Sequence, residues 1–447
     1  MGVRELIGAF LSADVPDMVT LDAGIRLELA ALDLEAIASA LRQGVAEADR
    51  RRGSARRGPA QGVLARHLAE TAVARGDYPG AASYFHLASR ELLAKLEGRH
   101  RARFLLDQAW VTHCLGDYAS ALALCGEAFP ALGPAPDPDT LALAYSTRGI
   151  AHYRLGHLAE ALDDHGKALG LRETSNDLSG QAASFNYLGN VYLERGDWAN
   201  AERCFLDSLA RYRHLDRPDR IAALEYNLGN LAALRGEFEA AERHHRCALD
   251  LRSKAGDRYG CGASRCALAS AWLRAGRTSE ARRGFERGLR LLEVSGAGEL
   301  KVEALLGQSL AVLVEGDRSE ARRVAGQALE LATRQRDRVQ LGAAHVLLAR
   351  IERLSGDRAA AGREVAIALD LLGHTGSRYQ MAKARLESAH VHLANRDAGE
   401  ARNQLRIALS ELEDLGALPD LVGARSLEKR LDDRRGPAVQ KRTRVKR

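Results

Sequence analysis

Small side chains return along this chain at intervals of forty residues. Each unit places a small residue twelve positions before an alanine, and most units place a glycine between the two. The alanines are Ala81, Ala121, Ala161, Ala201, Ala241, Ala281, Ala321, Ala361 and Ala401. The small residues before them are Ala69, Ala109, Gly149, Gly189, Gly229, Ala269, Ser309, Ala349 and Ala389. The glycines are Gly76, Gly116, Gly156, Gly196, Gly236, Gly276, Gly316 and Gly356, and Arg396 breaks that series. Nine units without an insertion or deletion indicate a repeat protein.

The pattern inside one unit predicts two helices joined by a tight turn, and residues 186–205 show it most clearly. Gly196 can adopt the left-handed backbone that closes a helix. Trp198 can pack across the turn, and Ala201 and Phe205 belong to the second helix. Small residues twelve positions apart then lie on facing helices, whose axes can approach to about 8–10 Å. The sequence therefore predicts an all-α fold.

The register of the repeats suggests four segments in the chain. Residues 61–415 carry the nine forty-residue repeats. Residues 1–60 lie outside the register, and we expect a helical cap followed by a basic hinge at Arg50–Pro59, where arginines, glycines and a proline should break any helix. Residues 416–433 are expected to form a C-terminal capping helix, and residues 434–447 a disordered basic tail.

The net charge of +6 comes from the end of the chain. Residues 434–447 hold seven basic and no acidic side chains, so the remainder of the protein is almost neutral. The segment Lys441–Arg447 could bind nucleic acid or an acidic partner through charge alone. A solvated end is the simpler interpretation, and the absence of aromatic residues among these charges argues against base stacking.

The sequence lacks the features that are typical of membrane proteins and of secreted proteins. No apolar run reaches the length needed to cross a bilayer, and the N-terminus has no secretory pattern, so we expect a cytoplasmic protein without membrane contact. The six cysteines form no Cys-x-x-Cys pair. They are expected to be buried thiols in a reducing compartment.

Catalytic and metal-binding signatures are also missing from the sequence. There is no phosphate-binding loop, no Gly-x-Ser-x-Gly elbow and no His-Glu-x-x-His motif, so we expect neither an enzyme nor a bound cofactor. The adjacent His244 and His245 would diverge by about 100° on a helix and could not easily share an ion. We expect no metal site.

The repeating positions resemble the tetratricopeptide repeat. They place a small residue at the eighth position, Gly at the fifteenth, an aromatic at the seventeenth, Ala at the twentieth and Phe at the twenty-fourth. The usual unit is 34 residues long. The forty-residue unit is similar to that of the mitotic adaptor named for its Leu-Gly-Asn repeats, and to sensor arms of large bacterial transcription regulators. Leu188-Gly189-Asn190 and Leu228-Gly229-Asn230 match the adaptor's signature.

This resemblance implies a right-handed superhelical solenoid of about nine helix-turn-helix units. In the family, the first helix of each unit lines a concave groove that holds a peptide or a partner protein. The family's groove positions fall in the central units on Ser146, Tyr153, Arg154, Asn186, Asn190, Glu194, Tyr226, Asn227 and Asn230. In the later units they fall on Leu306, Leu310, Leu313, Val346, Arg350, Arg353, Lys383, Leu386 and His390.

Asparagine is the residue type that points most directly to a function. Its amide offers both a donor and an acceptor, so a row of asparagines can pair with the backbone of an extended peptide. The alternative is that Asn190 and Asn230 bond within the stack of helices. Our leading hypothesis is a non-enzymatic scaffold or sensor that binds a protein segment in the groove. The alternative function is the ligand-sensing regulatory arm of a bacterial transcription regulator or signalling ATPase, with residues 1–60 as the remnant of an effector domain.

Overall fold

The protein is all-α in the residues that its computed structural model describes, namely 34–50, 57–74, 77–295 and 300–433. The helices are α1 (Leu34–Arg50), α2 (Arg57–Ala74), α3 (Tyr78–Leu92), α4 (Gly98–Cys114), α5 (Tyr118–Ala131), α6 (Pro138–Arg154), α7 (Leu158–Thr174), α8 (Leu178–Arg195), α9 (Trp198–His214), α10 (Pro218–Arg235), α11 (Phe238–Lys254), α12 (Arg258–Arg274), α13 (Thr278–Ser295), α14 (Lys301–Glu315), α15 (Arg318–Gln335), α16 (Arg338–Ser355), α17 (Arg358–Gly373), α18 (Arg378–Ala394), α19 (Ala398–Leu415) and α20 (Leu418–Asp433). A 3-10 turn at Leu93–Lys95 follows α3.

The helices form consecutive pairs that follow the forty-residue period. Nine pairs, from α2 with α3 to α18 with α19, occupy the predicted repeats, and the predicted helical solenoid is confirmed. We call the even-numbered members α2 to α18 the first helices and their partners the second helices. Two compact units can be distinguished: residues 1–152 with 163–176, and residues 153–162 with 177–447. In the second unit, each second helix from α11 onward also packs against the first helix that follows it.

The alanine series lies where the two helices of a pair approach most closely. All nine alanines are buried, with at most 1% of their surface exposed. The small residue that stands twelve positions before each alanine faces the side chain that stands four positions after the same alanine. A Cβ atom added to Gly189 would lie 2.5 Å from the ring of Phe205, and one added to Gly229 would lie 2.6 Å from the ring of His245. In the two Leu-Gly-Asn repeats, glycine therefore gives the ring of Phe205 or His245 room to approach the facing helix.

Left-handed residues close many of the helices, and they recur about every twenty residues. Within pairs the residue is usually glycine, as at Gly196 with a φ of 82°. Between pairs it is often another residue, such as Asn176 or Arg336, with φ values of 53° and 54°. Arg396, the exception in the glycine series, keeps the same conformation with a φ of 64°. The turn geometry is thus retained where the glycine is not.

Aspartate begins many of the helices, a signal that the sequence analysis did not use. In α9, for example, a carboxylate oxygen of Asp197 accepts a hydrogen bond from the backbone N–H of Asn200 at 3.2 Å. Such a cap satisfies one of the free N–H groups at a helix N-terminus and stabilises it by about 1 kcal/mol. The capping aspartates are Asp77, Asp117, Asp177, Asp197, Asp257, Asp317, Asp337, Asp357 and Asp397.

The prediction that Arg50–Pro59 breaks any helix was wrong for its last three residues. Helix α2 begins at Arg57 and contains Gly58 and Pro59 in its first turn. Proline is tolerated there because its missing N–H would have no intrahelical partner. The remaining part of the proposed hinge, residues 51–56, lies outside the described residues, as do residues 1–33 of the proposed cap and the tail from 434 onward.

The cysteine prediction was only partly right. Cys125, Cys204 and Cys266 are buried, and all six cysteines are free thiols. Cys247, however, is exposed on α11, so its thiol does not fill a gap in the core.

Two features are absent from the described parts of the chain. None of the helices in these ranges is long and apolar enough to cross a membrane. No group of three or more His, Cys, Asp and Glu side chains in the same ranges is arranged to hold a metal ion.

Replacement of Ala201 by leucine tests the close approach of the helices. Ala201→Leu should lower the free energy of unfolding by about 1–3 kcal/mol, because the larger side chain overpacks the contact between α8 and α9. Chemical denaturation measures this change. The control is Ala199→Leu, at an exposed position of the same helix. Equal effects of the two substitutions would contradict the proposed role of Ala201.

His245 provides a second test, because its ring occupies the position that Phe205 fills in the preceding repeat. The residue is fully buried, and neither ring nitrogen has a hydrogen-bond partner among the described residues. Burial lowers the pKa of His245 to about 3, so the ring is neutral at pH 7. His245→Phe removes the unsatisfied nitrogens and should raise the free energy of unfolding by about 1–3 kcal/mol.

The pH dependence has a definite sign. Between pH 3 and the ordinary histidine pKa of about 6.5, the unfolded chain binds a proton that the folded chain excludes. The contribution of neutral His245 to stability is therefore complete above about pH 6.5 and is lost as the pH falls toward 3. In His245→Phe, denaturation at several pH values should show a weaker loss of stability on acidification than in the unchanged protein. An unchanged pH profile in His245→Phe would disprove this interpretation.

Candidate functional site

Side chains from several first helices of the second unit face a common space. Burial raises the pKa of the Tyr153 phenol, and the nearby carboxylates of Glu194, Asp337 and Glu303 add to this effect. Tyr153, Glu194 and Glu303 lie on three different first helices, and Asp337 precedes a fourth. Their mutual influence shows that these side chains lie near one another. We call this surface the inner wall. Most of the positions that the family resemblance assigns to the groove are partly or fully exposed on the first helices, and we include these in the definition of the inner wall: Tyr153, Arg154, Asn186, Asn190, Glu194, Tyr226, Asn227, Asn230, Glu303, Leu306, Leu310, Val346, Arg350, Lys383, Leu386 and His390.

The asparagines differ in their bonding. Nδ2 of Asn227 donates to Oδ1 of Asn186 at 2.9 Å, which links two neighbouring first helices. The side chain of Asn230 lies close to the Tyr226 hydroxyl in its own helix, where it counteracts the rise in the pKa of Tyr226 that burial causes. Asn190 makes no side-chain hydrogen bond to any described residue. Bonding within the stack therefore accounts for part of the series, whereas the Asn190 amide forms no such bond among the described residues.

Carboxylates lie on the part of the inner wall near Tyr153. Glu194 accepts a hydrogen bond from the hydroxyl of Ser377, and Asp337 caps α16. Glu303 retains exposed surface, but the protein around it reduces its hydration and raises the pKa of its carboxyl. Arg154, whose guanidinium lies 5.5 Å from the Tyr153 ring centroid, lowers this pKa again.

Basic residues lie on α16 and α18. Nε of Arg353 donates to the buried carboxylate of Glu387 at 2.6 Å, so this arginine joins neighbouring repeats. Arg350 is exposed and Lys383 is half-buried, and neither forms an ion pair with a described residue. Burial lowers the pKa of Lys383, and the positive charges of Arg274 and Arg350 lower it further.

Aliphatic side chains surround the basic residues. Leu306, Leu310, Val346 and Leu386 are partly exposed on the same first helices. Leu313, which the sequence analysis placed in this group, is only 6% exposed and packs in the core. Ser146, also named there, is 4% exposed in the first unit. Neither Leu313 nor Ser146 offers a useful contact surface.

Glu303 is the residue of the inner wall that sequence reasoning missed. It occupies the second position of its first helix, which the family resemblance assigns to the groove, so a complete reading of those positions would have found it. Its carboxylate lies close enough to Tyr153, Glu194 and Tyr226 to raise their pKa values. Glu303 therefore belongs to the same group of side chains as Tyr153, Glu194 and Tyr226.

A family model matches the central part of the chain. The tetratricopeptide-repeat family model matches residues 139–214 and 220–293, which contain α7, α8, α9, α11 and α12 and most of α6, α10 and α13. The central repeats are tetratricopeptide repeats. No curated protein matches the sequence.

Several solved structures share the fold. A Rap protein complexed with competence and sporulation factor aligns with a TM-score of 0.62 and 14% identity, over 79% of this chain and 98% of the other. NprR in complex with its cognate peptide NprX aligns with a TM-score of 0.56 and 14% identity, over 77% and 98%. The apo quorum sensor NprR from B. thuringiensis gives a TM-score of 0.51 and 14% identity, over 78% and 97%. Identity this low shows a common fold and no more.

The ion pair of Arg353 leads to a prediction about stability. Arg353→Ala leaves the buried Glu387 without its partner and should lower the free energy of unfolding by about 3–5 kcal/mol. Arg350→Ala, on the same helix, should change it by less than about 0.5 kcal/mol because Arg350 has no ion pair to lose. Chemical denaturation compares the two variants. Equal stability of Arg353→Ala and Arg350→Ala would contradict this assignment.

Proposed function

We propose that the second unit binds an extended protein or peptide segment against the inner wall, as a non-enzymatic scaffold or sensor. The observation that carries the proposal is the set of ligand-competent groups that the folded chain leaves unused. Asn190 has a free amide, and Arg350 and Lys383 have no ion-pair partner among the described residues. A hydrogen bond or ion pair between such a group and a ligand is stronger than the same contact in open water, because the surrounding protein lowers the local dielectric constant.

Each part of the wall suits a different part of such a segment. The amide of Asn190 can pair with a backbone N–H and a backbone C=O at once, whatever the side chains of the ligand. Leu306, Leu310, Val346 and Leu386 offer contacts to aliphatic side chains. Arg350 and Lys383 favour a carboxylate, either of an acidic side chain or of a peptide C-terminus. The expected ligand is therefore an extended segment with aliphatic residues close to an acidic group.

The fold relatives support the class of ligand. One related structure contains competence and sporulation factor and another contains the peptide NprX. Their low identity to this chain means that the ligand of this protein has to be inferred from its own wall. Arg154, Glu194 and Tyr226 would contribute at the acidic part of that wall, and Asn186 with Asn227 would support it through their mutual hydrogen bond.

Selection of peptides from a random library tests the proposal and identifies a ligand in the same experiment. The full chain is used to select binders from phage-displayed short peptides of random sequence, and enriched sequences are synthesised with a fluorescent label. We expect peptides that combine aliphatic and acidic residues. Asn190→Ala and the double variant Arg350→Ala/Lys383→Ala should each weaken binding by about tenfold or more, which corresponds to at least about 1.4 kcal/mol. Fluorescence anisotropy measures the affinities.

A matched control is available on the second helices. Arg363 and Arg406 are exposed on α17 and α19, so Arg363→Ala/Arg406→Ala removes the same number of charges away from the wall. This control should bind normally. If the control loses as much affinity as Arg350→Ala/Lys383→Ala, net charge and not the inner wall governs binding. If the library yields no peptide that depends on the wall residues, the proposed function is wrong.

A further inference from the structure

The second unit makes contacts between repeats that are far apart in the chain. Three turns within helix pairs touch residues near the C-terminal end of the described chain. A Cβ atom added to Gly196 would lie 2.0 Å from Cδ2 of Leu415, and one added to Gly236 would lie 3.2 Å from Cγ of Pro419. One added to Gly156 would lie 3.0 Å from Cβ of Thr375. Consistent with these contacts, α18 lies against α8, and α20 lies against α10.

A polar and aromatic network joins the same segments. The hydroxyl of Tyr379 donates to Asp420 at 2.8 Å and accepts a hydrogen bond from Arg274 at 3.1 Å. Arg274 also donates to Asp420 at 3.0 Å. The Trp198 ring meets the Tyr379 ring edge-on, with centroids 5.9 Å apart. We call these contacts, together with the three glycine turns and the bond from Ser377 to Glu194, the clasp.

The glycine series shows that the clasp is confined to one set of repeats. Gly276, Gly316 and Gly356 have the same left-handed backbone as Gly196, with φ values of 81°, 100° and 94°. A Cβ atom added to any of these three would meet nothing within 4 Å. From Gly116 to Gly356, glycine therefore closes a helix in each repeat, whereas Gly156, Gly196 and Gly236 also allow a distant segment to approach.

The clasp can open without the loss of any helix pair. A repeat array is stabilised mainly by contacts between neighbours, and the clasp is an additional contact between segments that are not neighbours. Small shifts at each interface between repeats add up along such an array. Opening the clasp separates turns and one buried network, so it should require less free energy than unfolding.

The clasp also touches the inner wall directly. Glu194 belongs to the wall, and its hydrogen-bond donor Ser377 is 1% exposed just before α18. Lys383, one turn after Tyr379, places its ammonium 5.4 Å from the Tyr379 ring centroid. A segment that lies along α8 and α10 would therefore come close to the contacts of α18 with α8 and of α20 with α10.

We propose that the clasp controls access to the inner wall: the closed clasp excludes an extended segment, and its opening admits one. This inference rests on the proposed function, because it concerns the regulation of the same site. The closed form is the resting state, and the rate of opening limits the association of the ligand. A ligand held on the wall then competes with the clasp for the same surface.

An engineered disulfide tests the proposal by locking the clasp. A Cβ atom on Gly376 would lie 4.0 Å from Cβ of Leu158, within the range of about 3.5–4.5 Å that disulfides require. Leu158→Cys/Gly376→Cys should therefore form a disulfide on oxidation, which mass spectrometry of peptides detects. In the oxidised variant, a peptide selected by the full chain should associate at least about tenfold more slowly, and reduction should restore the rate. The single variants Leu158→Cys and Gly376→Cys control for local strain.

An opening variant should act in the opposite direction. Gly196→Ala places a methyl group against Leu415 and should increase the association rate, together with the hydrogen exchange of the segment Thr375–Tyr379. Gly316→Ala imposes the same left-handed strain with no neighbour to displace, and it should leave both quantities unchanged. Equal effects of Gly196→Ala and Gly316→Ala would overturn the proposal.

The outcomes separate this inference from the proposed function. If the disulfide forms and peptide association keeps its rate, the clasp does not control access, although the wall binds peptides. If oxidation gives no disulfide, the two segments are not in contact in solution and the clasp itself is disproved. If the library yields no wall-dependent peptide, the proposed function fails. In that case hydrogen exchange still decides whether the clasp opens, because the lock should slow exchange at Thr375–Tyr379 at least about tenfold, and unchanged exchange would overturn the proposal.

Discussion

Close approach of paired helices at side chains no larger than alanine is the constraint on which this structure depends. The nine alanines of the repeat lie at these contacts and are almost completely buried. With a small residue on the facing helix, one aromatic or aliphatic side chain per pair is enough to fill the space, as Phe205 does over Gly189. This explains how a chain with only 5% aromatic residues maintains a continuous core. It also fixes the direction of each first helix and thereby the composition of the inner wall.

The inner wall contains both used and unused polar groups, and this division gives it its chemical character. Arg353 with Glu387, and Asn227 with Asn186, join neighbouring repeats. Asn190 and Arg350 make no side-chain hydrogen bond or ion pair to a described residue, and Lys383 lies over the Tyr379 ring but has no ion pair. Groups of the first kind maintain the geometry, and the proposed function assigns groups of the second kind to the ligand. A substitution on the wall can therefore reduce binding either through stability or through lost contact, and the two must be measured separately.

Much of this fold could be predicted from the sequence because its main determinants are periodic. The helix pairs, the burial of the small residues and the left-handed glycine turns all follow from residues repeated forty positions apart. The clasp could not be predicted in this way, since Tyr379 and Asp420 contact Trp198 and Arg274 through a closure that has no period in the sequence. The hydrogen-bond partners of the asparagines could not be predicted from the sequence either. Asn186, Asn190 and Asn227 are the same residue type, and only their positions in the structure distinguish them. The capping aspartates, by contrast, were visible in the sequence and were overlooked.

Hydrogen–deuterium exchange with and without a selected peptide is the most direct test of the claim that the first helices of the second unit form a binding wall. The account predicts that the peptide slows exchange in α8, α10, α16 and α18, and leaves their partners α9, α11 and α17 nearly unchanged. Protection of the second helices, or protection restricted to the first unit, would contradict it.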